Sequence, residues 1–307
     1  MQSRAREIRP FLLLCVIWGT TWIAAKASLE SLPPLFLAGS RFTVAGAILL
    51  VPSILSRQWP VARTDFLRLL AAALLLIVLC YGALFWGMVY TDSGTSAVIE
   101  MGLTPVALLG FALAMGEEAF SYRKVAAIAL GLCGLLLLFG TTAWQAWTQD
   151  HQGATLRILG ALAVASAALT YGLGSVISRP LLRRYSATAV SGATIFLGGL
   201  ILLPLSRLIE PGFTAATRLD WGVKTWSGWL FLVIFGSLVG YLIFMRLLRD
   251  LGASQAGMYA FVSPPIAVAL GAVLRGERLG GLEVCGIVFL LAAAWLAMKD
   301  RSQPEYV

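Results

Sequence analysis

Charged residues are scarce in this chain of 307 residues. Asp, Glu, Lys and Arg make up 12% of it and hydrophobic residues 59%, whereas soluble domains average about 25% and about 45–50%. Because a soluble protein of this length needs a polar shell, the composition excludes a soluble enzyme, and the long apolar runs exclude a disordered chain. We therefore predict a membrane protein that crosses the bilayer several times.

Cysteine, histidine and catalytic motifs are also scarce. The four cysteines show no Cys-x-x-Cys spacing and the single histidine is His151, so we expect no disulfide, no metal site and no cofactor. The motifs of ATP-binding loops, serine hydrolases and zinc proteases are missing, so we expect neither ATP hydrolysis nor other enzyme activity. The 23 Lys and Arg residues are spread between apolar segments, which indicates membrane topology rather than nucleic-acid binding.

Apolar stretches long enough to span the hydrocarbon core, about 20 residues each, define the organisation of the chain. They lie at 10–29, 33–56, 66–90, 94–116, 122–140, 157–178, 187–208, 226–248, 253–274 and 281–298. Several connections have only a few residues, which predicts antiparallel packing of neighbouring helices. We predict an all-α membrane protein with ten transmembrane helices.

The distribution of Lys and Arg predicts the orientation of these helices. Fifteen of these residues fall on the side of the N-terminus and six on the other side, while Lys26 and Arg41 lie within helices. Because positive residues concentrate on the cytoplasmic side, both termini are predicted to be cytoplasmic. An alternative is that the first helix is a signal peptide with the small-residue cleavage motif Ala25-Lys26-Ala27, but the repeat described next requires this helix.

The two halves of the chain resemble each other. A shift of 160 residues aligns Pro105 with Pro265 and Glu117 with Glu277. Each half then holds five helices, and because five is odd the halves enter the membrane in opposite orientations. Inverted repeats of this kind are typical of secondary transporters. The predicted divisions are a first repeat at 1–140, an outer connecting loop at 141–156, a second repeat at 157–299 and a cytoplasmic tail at 300–307.

Three motifs carry a resemblance to a known family. They read Trp18-Gly19-Thr20-Thr21-Trp22, Thr104-Pro105 followed by Gly116-Glu117, and Ser263-Pro264-Pro265 followed by Gly276-Glu277. Over nearly its whole length the chain resembles the drug/metabolite transporter superfamily, specifically the ten-helix proteins built from two EamA domains, which include amino-acid exporters of the YddG type. The resemblance implies a carrier of the bacterial inner membrane whose central cavity is surrounded by helices 1, 3, 4, 6, 8 and 9.

Aromatic and polar residues on these helices are the candidates for substrate contact. They are Trp18, Trp22, Tyr81, Phe85, Glu100, Thr104, Tyr171, Tyr241, Tyr259 and Ser263. Residues three or four apart share one helix face, which places Trp18, Trp22 and Lys26 in one stripe. The tryptophans either line a cavity or pack between helices, and Lys26 either joins them or extends to the outer interface.

Glu100 is an acidic residue about six residues inside the fourth predicted helix, or about 9 Å along its axis. A carboxylate at that depth is costly unless it faces protein or water. It could bind a proton, hold a substrate ammonium group, or form a structural ion pair with Lys26 or Arg41. Arg41 itself is expected to be structural or interfacial, because helix 2 is not among the helices that the resemblance places around the cavity.

Two prolines and two glutamates occupy equivalent positions in the two repeats. Pro105 and Pro265 each remove a backbone hydrogen bond, so they act either as hinges that permit gating or as static kinks. Glu117 and Glu277 fall at helix ends, where we expect helix capping or a loop salt bridge and, as the alternative, gating.

The predicted function is secondary transport by alternating access, with export of small metabolites, in particular aromatic or large apolar amino acids, across the inner membrane. The expected partners are the substrate and the lipid bilayer, with no nucleic acid and no ATP. Proton coupling through Glu100 and facilitated diffusion both stay open. The alternatives are exchange of another small metabolite or a drug, exchange of an anionic sugar phosphate or nucleotide-sugar, and an intramembrane enzyme. An anion exchanger needs two or more midplane cations, and only Lys26 and Arg41 lie within the helices.

Overall fold

The computed structural model describes residues 2–55, 61–91, 93–149, 154–275 and 280–299. All regular elements in these ranges are helical. In chain order they include α1 (Gln2–Leu29), α2 (Pro34–Leu55), a 3₁₀ turn (Arg63–Asp65), α3 (Phe66–Ala73), α4 (Cys80–Tyr90), α5 (Ser93–Ala114), α6 (Tyr122–Gln149), α7 (Ala154–Arg184), α8 (Ala187–Ile209), α9 (Phe213–Ala216), α10 (Val223–Phe231), α11 (Leu242–Leu251), α12 (Ala253–Ala256), α13 (Tyr259–Arg275) and α14 (Gly281–Met298).

Long apolar helices dominate these ranges. Eight helical stretches of the described residues are long and apolar enough to cross a membrane. The two remaining predicted segments, 122–140 and 253–274, overlap α6 and α13. The chain is therefore an all-helical membrane protein. The ninth segment, predicted as one helix over 253–274, is instead divided into α12 and α13 by a turn at Gly257 and Met258.

The third and eighth predicted helices each contain a π-helical segment. The first π segment, Leu74–Leu79, joins α3 to α4, and the second π segment, Leu232–Tyr241, joins α10 to α11. Because a π-helix has a wider turn than an α-helix, it rotates the residues that follow it relative to a regular helix. The two segments begin 158 residues apart, close to the shift of 160 residues that aligns the two halves in sequence.

Glycines permit two pairs of helices to pack at close range. α2 lies against α8, where a Cβ atom added to Gly46 would come within 2.5 Å of the backbone nitrogen of Phe196. α6 lies against α14, where a Cβ atom added to Gly134 would come within 2.9 Å of the carbonyl oxygen of Gly286. Neither contact has room for a larger side chain. Small residues at such interfaces are what allow membrane helices to approach closely.

α1 and α7 occupy comparable central positions. α1 packs on α10, the second π segment and α13, whereas α7 packs on α3, the first π segment, α4 and α5. Each of the two helices therefore contacts the opposite half of the chain. The central cavity lies between these two helices and their neighbours.

The direction of the chain distinguishes the two ends of the bundle. The end at which α1 begins is the N-terminal face, and the end at which α1 finishes is the opposite face. At the opposite face the Glu210 carboxylate accepts hydrogen bonds from the backbone N–H groups of Leu35, at 2.8 Å, and Phe36, at 3.1 Å. This contact caps the first turn of α2 and holds the end of α8 against it.

Candidate functional site

A cavity lies between the helices at the centre of the bundle. Its walls come from α1, α2, α4, α5, α7, the second π segment and α13. Seven of the ten candidate substrate residues line it together, namely Trp18, Trp22, Tyr81, Phe85, Glu100, Tyr171 and Tyr259. The structure therefore gathers most of the candidates around one space.

The other three candidates lie outside the cavity wall. Thr104 is fully buried one turn after Glu100 and donates a hydrogen bond to its Oε1 atom at 3.3 Å. The Tyr241 hydroxyl shares a hydrogen bond of 3.3 Å with Thr194, and Ser263 is fully buried within α13. Thr104 thus supports the site through Glu100, whereas Tyr241 and Ser263 belong to the packing around the cavity.

Aromatic rings in edge-to-face and tilted contacts form the floor of the cavity. The centroid of the Trp18 ring lies 4.6 Å from that of Tyr259 and 6.4 Å from that of Tyr171. It lies 5.4 Å from the centroid of Phe244, and the Trp18 indole N–H donates to the carbonyl oxygen of Gly236 at 3.3 Å. The Tyr171 hydroxyl is buried with no hydrogen-bond partner among the described residues, so the floor holds a polar group that a ligand can use.

Arg41 also lines the cavity, so the prediction that it lies outside was wrong. Its guanidinium carbon is 4.3 Å from the ring centroid of Phe42, 4.8 Å from that of Tyr81 and 5.1 Å from that of Phe85. The side chain is buried, and its Nε atom has no hydrogen-bond partner in the described part of the chain. The residues flanking Arg41 in α2 are mostly apolar on every side, so their pattern does not show which face of the helix turns inward.

Glu100 is partly buried in the cavity wall, seven residues after the start of α5. All three side chains of the predicted ion pairs are described, and no nitrogen of Lys26 or Arg41 lies within 4.0 Å of the Glu100 carboxylate. The structural ion pair is therefore wrong. Lys26 is exposed near the end of α1 and does not line the cavity. The wall thus holds one carboxylate and one guanidinium that are not paired with each other.

Residues outside the candidate set complete the wall. They are Thr21, Ala25, Cys80, Leu84, Met88, Met101, Leu232 and Gly236. Helical spacing indicates Met88, three residues after Phe85, and Ala25, three residues after Trp22. No such spacing marks Leu232 or Gly236, because both lie in a π segment. The complete wall is mainly aromatic and aliphatic.

The cavity extends from the middle of the bundle towards the opposite face. Its lining on α1 runs from Trp18 to Ala25, and its lining on α4 runs from Cys80 to Met88. Both helices run from the N-terminal face towards the opposite face. On α1, and on the continuous helical stretch 66–90 that ends with α4, the lining therefore lies in the half nearer the opposite face.

A turn after α5 begins a cluster of ion pairs at the N-terminal face. Gly116 has a φ of +67°, a conformation that suits glycine after a helix end, and the two glutamates follow it directly. Arg183 Nη2 donates to a Glu117 carboxylate oxygen at 2.5 Å, which confirms the salt bridge predicted for this helix end. Glu118 is buried and accepts a hydrogen bond from Lys124 Nζ at 2.8 Å.

This cluster joins several elements at the N-terminal face. The Glu118 carboxylate also accepts hydrogen bonds from the backbone N–H of Ser254, at 3.1 Å, and from its hydroxyl. Arg179 on α7 donates to the carbonyl oxygen of Glu117 at 2.8 Å. The end of α5 is therefore tied to α6, α7 and α12. Glu277, the predicted equivalent of Glu117, lies outside the described residues.

Both candidate hinge prolines lie within helices. Pro105 is part of α5 and Pro265 part of α13, and helix continues on both sides of each. Both prolines are buried. Whether they act as hinges or as static kinks stays a prediction.

Comparisons with known proteins agree with this architecture. The chain matches the model of the EamA-like transporter family twice, at residues 10–140 and 158–299. It is 31% identical to "Uncharacterized inner membrane transporter YedA" of Escherichia coli strain K12, over 97% of this chain and 94% of that one. It is 25% identical to "Probable amino-acid metabolite efflux pump" of Salmonella typhimurium strain LT2, over 93% of this chain and 92% of that one. A crystal structure of another protein shares the fold, with a TM-score of 0.75 over 95% of this chain and 96% of that chain at 17% identity.

Proposed function

This chain belongs to the EamA-like transporter family, and from that premise we propose that it exports small metabolites by alternating access, with aromatic or large apolar amino acids as favoured substrates. It is a transporter and not an enzyme. The observation that carries the proposal is the central cavity, which extends towards one face of the bundle while ion pairs join the helices at the other.

The proposed architecture is ten transmembrane helices in two inverted repeats, at 1–140 and 157–299, joined by an outer loop and followed by a short tail. The packing of α1 and α7 on opposite halves, together with the matching positions of the two π segments, supports this arrangement. Two inverted halves can exchange their conformations, and that exchange moves the opening of a shared cavity from one side to the other. Pro105 and Pro265 are the proposed hinges.

The proposed orientation places both termini in the cytoplasm of a bacterial cell, with the protein in the inner membrane. The concentration of Lys and Arg on the side of the termini supports it, and so does the name of the relative from Escherichia coli, an inner membrane transporter. The opposite face is then the outer side. In this orientation the structure corresponds to the outward-facing state, with the charged cluster of Glu117 and Glu118 as the closed inner gate.

The chemistry of the cavity supports an amino-acid substrate. The rings of Trp22, Tyr81 and Phe85 offer an apolar surface for a side chain, and Glu100 offers a carboxylate for an ammonium group. The printed name of the Salmonella relative, an amino-acid metabolite efflux pump, points the same way.

Glu100 is also the proposed site of proton coupling. It is the one acidic side chain among the residues that line the cavity. The ionisable groups near it are Cys80, Tyr81 and Tyr259, and Arg41 lines the same cavity. A carboxyl group in this position can bind either a proton or a substrate ammonium, and such competition couples the two fluxes in opposite directions.

Anion exchange is less well supported as the main function. A sugar phosphate or nucleotide-sugar carries two negative charges, whereas Arg41 is the one cationic side chain among the residues that line the cavity. Glu100 would repel such a substrate from the same wall. Exchange of another uncharged or zwitterionic small metabolite or drug fits the cavity better than anion exchange does.

Counterflow in proteoliposomes tests the proposal. Purified protein is reconstituted, loaded with one unlabelled amino acid and assayed for uptake of the labelled form, across a panel of aromatic, aliphatic and polar amino acids. We expect uptake of aromatic or large aliphatic amino acids without any gradient. Absence of uptake across the whole panel, with insertion verified, would contradict the assignment to amino acids.

Substitution of a cavity tryptophan adds a test of the site. Trp22→Ala removes aromatic surface from the wall and should raise the KM about 3- to 10-fold. Trp86→Ala is the matched control, because Trp86 is exposed and does not line the cavity. Equal KM values for the two variants would show that Trp22 does not contact the substrate.

A further inference from the structure

Arg41 is a buried cation without a counterion in the described part of the chain. Its exposed fraction is 3%, no described carboxylate oxygen lies within 4.0 Å of its nitrogens, and its Nε atom has no hydrogen-bond partner there. The rings of Phe42, Tyr81 and Phe85 stabilise the charge through cation–π contacts but supply no anion. Because an unpaired charge inside a membrane protein is costly, such a residue indicates a ligand that supplies the missing charge.

Glu100 is the matching anion. Its one hydrogen-bond partner among the described residues is the Thr104 hydroxyl, which carries no charge. Arg41 and Glu100 each lie seven residues after the first residue of a helix that starts at the opposite face. Both therefore lie about 10 Å deep. Tyr81 on α4 lies within electrostatic range of both side chains, so the two charges share one part of the cavity.

Two unpaired and opposite charges at one depth form a template for a zwitterion. Resting on the proposed function, we infer that Arg41 and Glu100 recognise the two charged ends of a free α-amino acid, with Arg41 binding its carboxylate and Glu100 its ammonium group. The planar guanidinium can donate two parallel hydrogen bonds to a carboxylate, and its unpartnered Nε–H is one of the available donors. The aromatic wall then receives the side chain.

In this arrangement, tight binding requires both the ammonium group and the carboxylate of the substrate. An amino-acid amide keeps the ammonium but leaves Arg41 unpaired, and a deaminated acid keeps the carboxylate but leaves Glu100 unpaired. Leaving a buried charged group without its partner costs more than losing a neutral contact. The site therefore rejects amines, amides and simple carboxylic acids of the same shape, as well as peptides extended at either end.

Competition with matched analogues tests this in the wild-type protein. Counterflow of labelled phenylalanine, or of another amino acid that the wild type transports, is inhibited with the unlabelled amino acid, its amide and its deaminated acid at about pH 6, where the amide stays protonated. We expect both analogues to bind about 10- to 100-fold more weakly than the amino acid. Equal inhibition by the amino acid and its amide would overturn the role of Arg41, whether or not any variant folds.

Substitutions of Arg41 and Glu100 test which residue binds which end of the substrate. Arg41→Gln should reduce the preference for the amino acid over its amide to less than about threefold and should keep the preference over the deaminated acid. Glu100→Gln should reduce the preference over the deaminated acid and should keep the preference over the amide. Arg41→Lys keeps the charge and should restore part of the first preference. Lys26→Gln and Glu30→Gln are the controls, because both residues are exposed towards the same face and neither lines the cavity.

The outcomes separate this inference from the proposed function. If the wild type transports an amino acid but Arg41→Gln keeps the full preference over the amide, the carboxylate site is wrong and the transport function stands. If the wild type transports no amino acid of the panel, the proposed function fails and the zwitterion site fails with it. Thermal unfolding of each variant, with and without the amino acid, shows whether a loss of preference reflects binding or folding.

Discussion

The sequence predicted a position in the cavity for Glu100 but not for Arg41. An acid in an apolar helix is conspicuous, and Glu100 does line the cavity. Arg41 was equally conspicuous, but helix 2 was expected outside the cavity, so its position in the wall came from tertiary packing that the sequence does not encode locally. Among the residues that line the cavity, Arg41 is the one that α2 contributes.

At the residue scale we predict that Glu100 couples transport to protons. In wild-type proteoliposomes a proton gradient, acidic on the side of the opposite face, should accelerate efflux of the amino acid towards that side. Efflux by Glu100→Gln, assayed at an amino-acid concentration raised to offset its weaker binding, should lose this acceleration, because no other acid lines the described cavity. The measurement is efflux with and without the gradient. Glu30→Gln removes an exposed acid near the same face and should keep the response, and a persisting response in Glu100→Gln would assign the coupling to another group.

Regular helices and π segments explain which candidate residues line the cavity. On α1 the spacing of Trp18 and Trp22 predicted a shared face, and both line the cavity because the helix is regular over this stretch. Tyr81 and Phe85, four residues apart on α4, also line the cavity together, since both lie after the first π segment. Tyr241 lies at the end of the second π segment and does not line the cavity, and the wider turn of a π-helix changes the face on which a residue lies.

At the element scale we predict that the contact between α2 and α8 requires glycine. Gly46→Ala should lower the free energy of unfolding by about 1–3 kcal/mol, because the added Cβ would meet the backbone of Phe196. The measurement is the thermal unfolding temperature in detergent. Gly110→Ala is the matched control, since no atom lies within 4 Å of its added Cβ, and its unfolding temperature should be unchanged or slightly higher. Equal effects of the two substitutions would contradict the close packing.

The charged cluster at the N-terminal face should hold the gate closed. Glu118→Gln removes the partner of the buried Lys124 ammonium, so we expect the inward-facing state to become more populated. Cys15 is buried one turn before Trp18 on α1, and its rate of modification by a membrane-impermeant thiol reagent, added at the N-terminal face, should rise several-fold.

Asp250→Asn provides the control for this gate. Asp250 pairs with Arg249 in a partly exposed ion pair at the same face, and such pairs contribute little. The modification rate of Cys15 should therefore stay at the wild-type value. An equal rate in Glu118→Gln and the wild type would show that the cluster does not control access.

At the scale of the whole molecule, composition and periodicity predicted an all-helical membrane protein, and the structure confirms it. The paired motifs Pro105 to Glu117 and Pro265 to Glu277 indicated two related halves before any packing was known. The π segments and the position of the cavity were not predictable, because both depend on how helices from the two halves fit together. A sequence pattern describes one helix at a time, whereas a cavity is a property of the assembled bundle.

The central claim is that the cavity between α1, α4 and α5 is the path of the substrate and opens to the two sides in turn. Ala25→Cys, in a variant whose four native cysteines are replaced, places a single thiol in the cavity wall. An impermeant thiol reagent added at the opposite face should modify it, and a saturating amount of a transported amino acid should slow that modification. If the transported amino acid leaves the rate unchanged, the substrate does not pass through this cavity and the account is wrong.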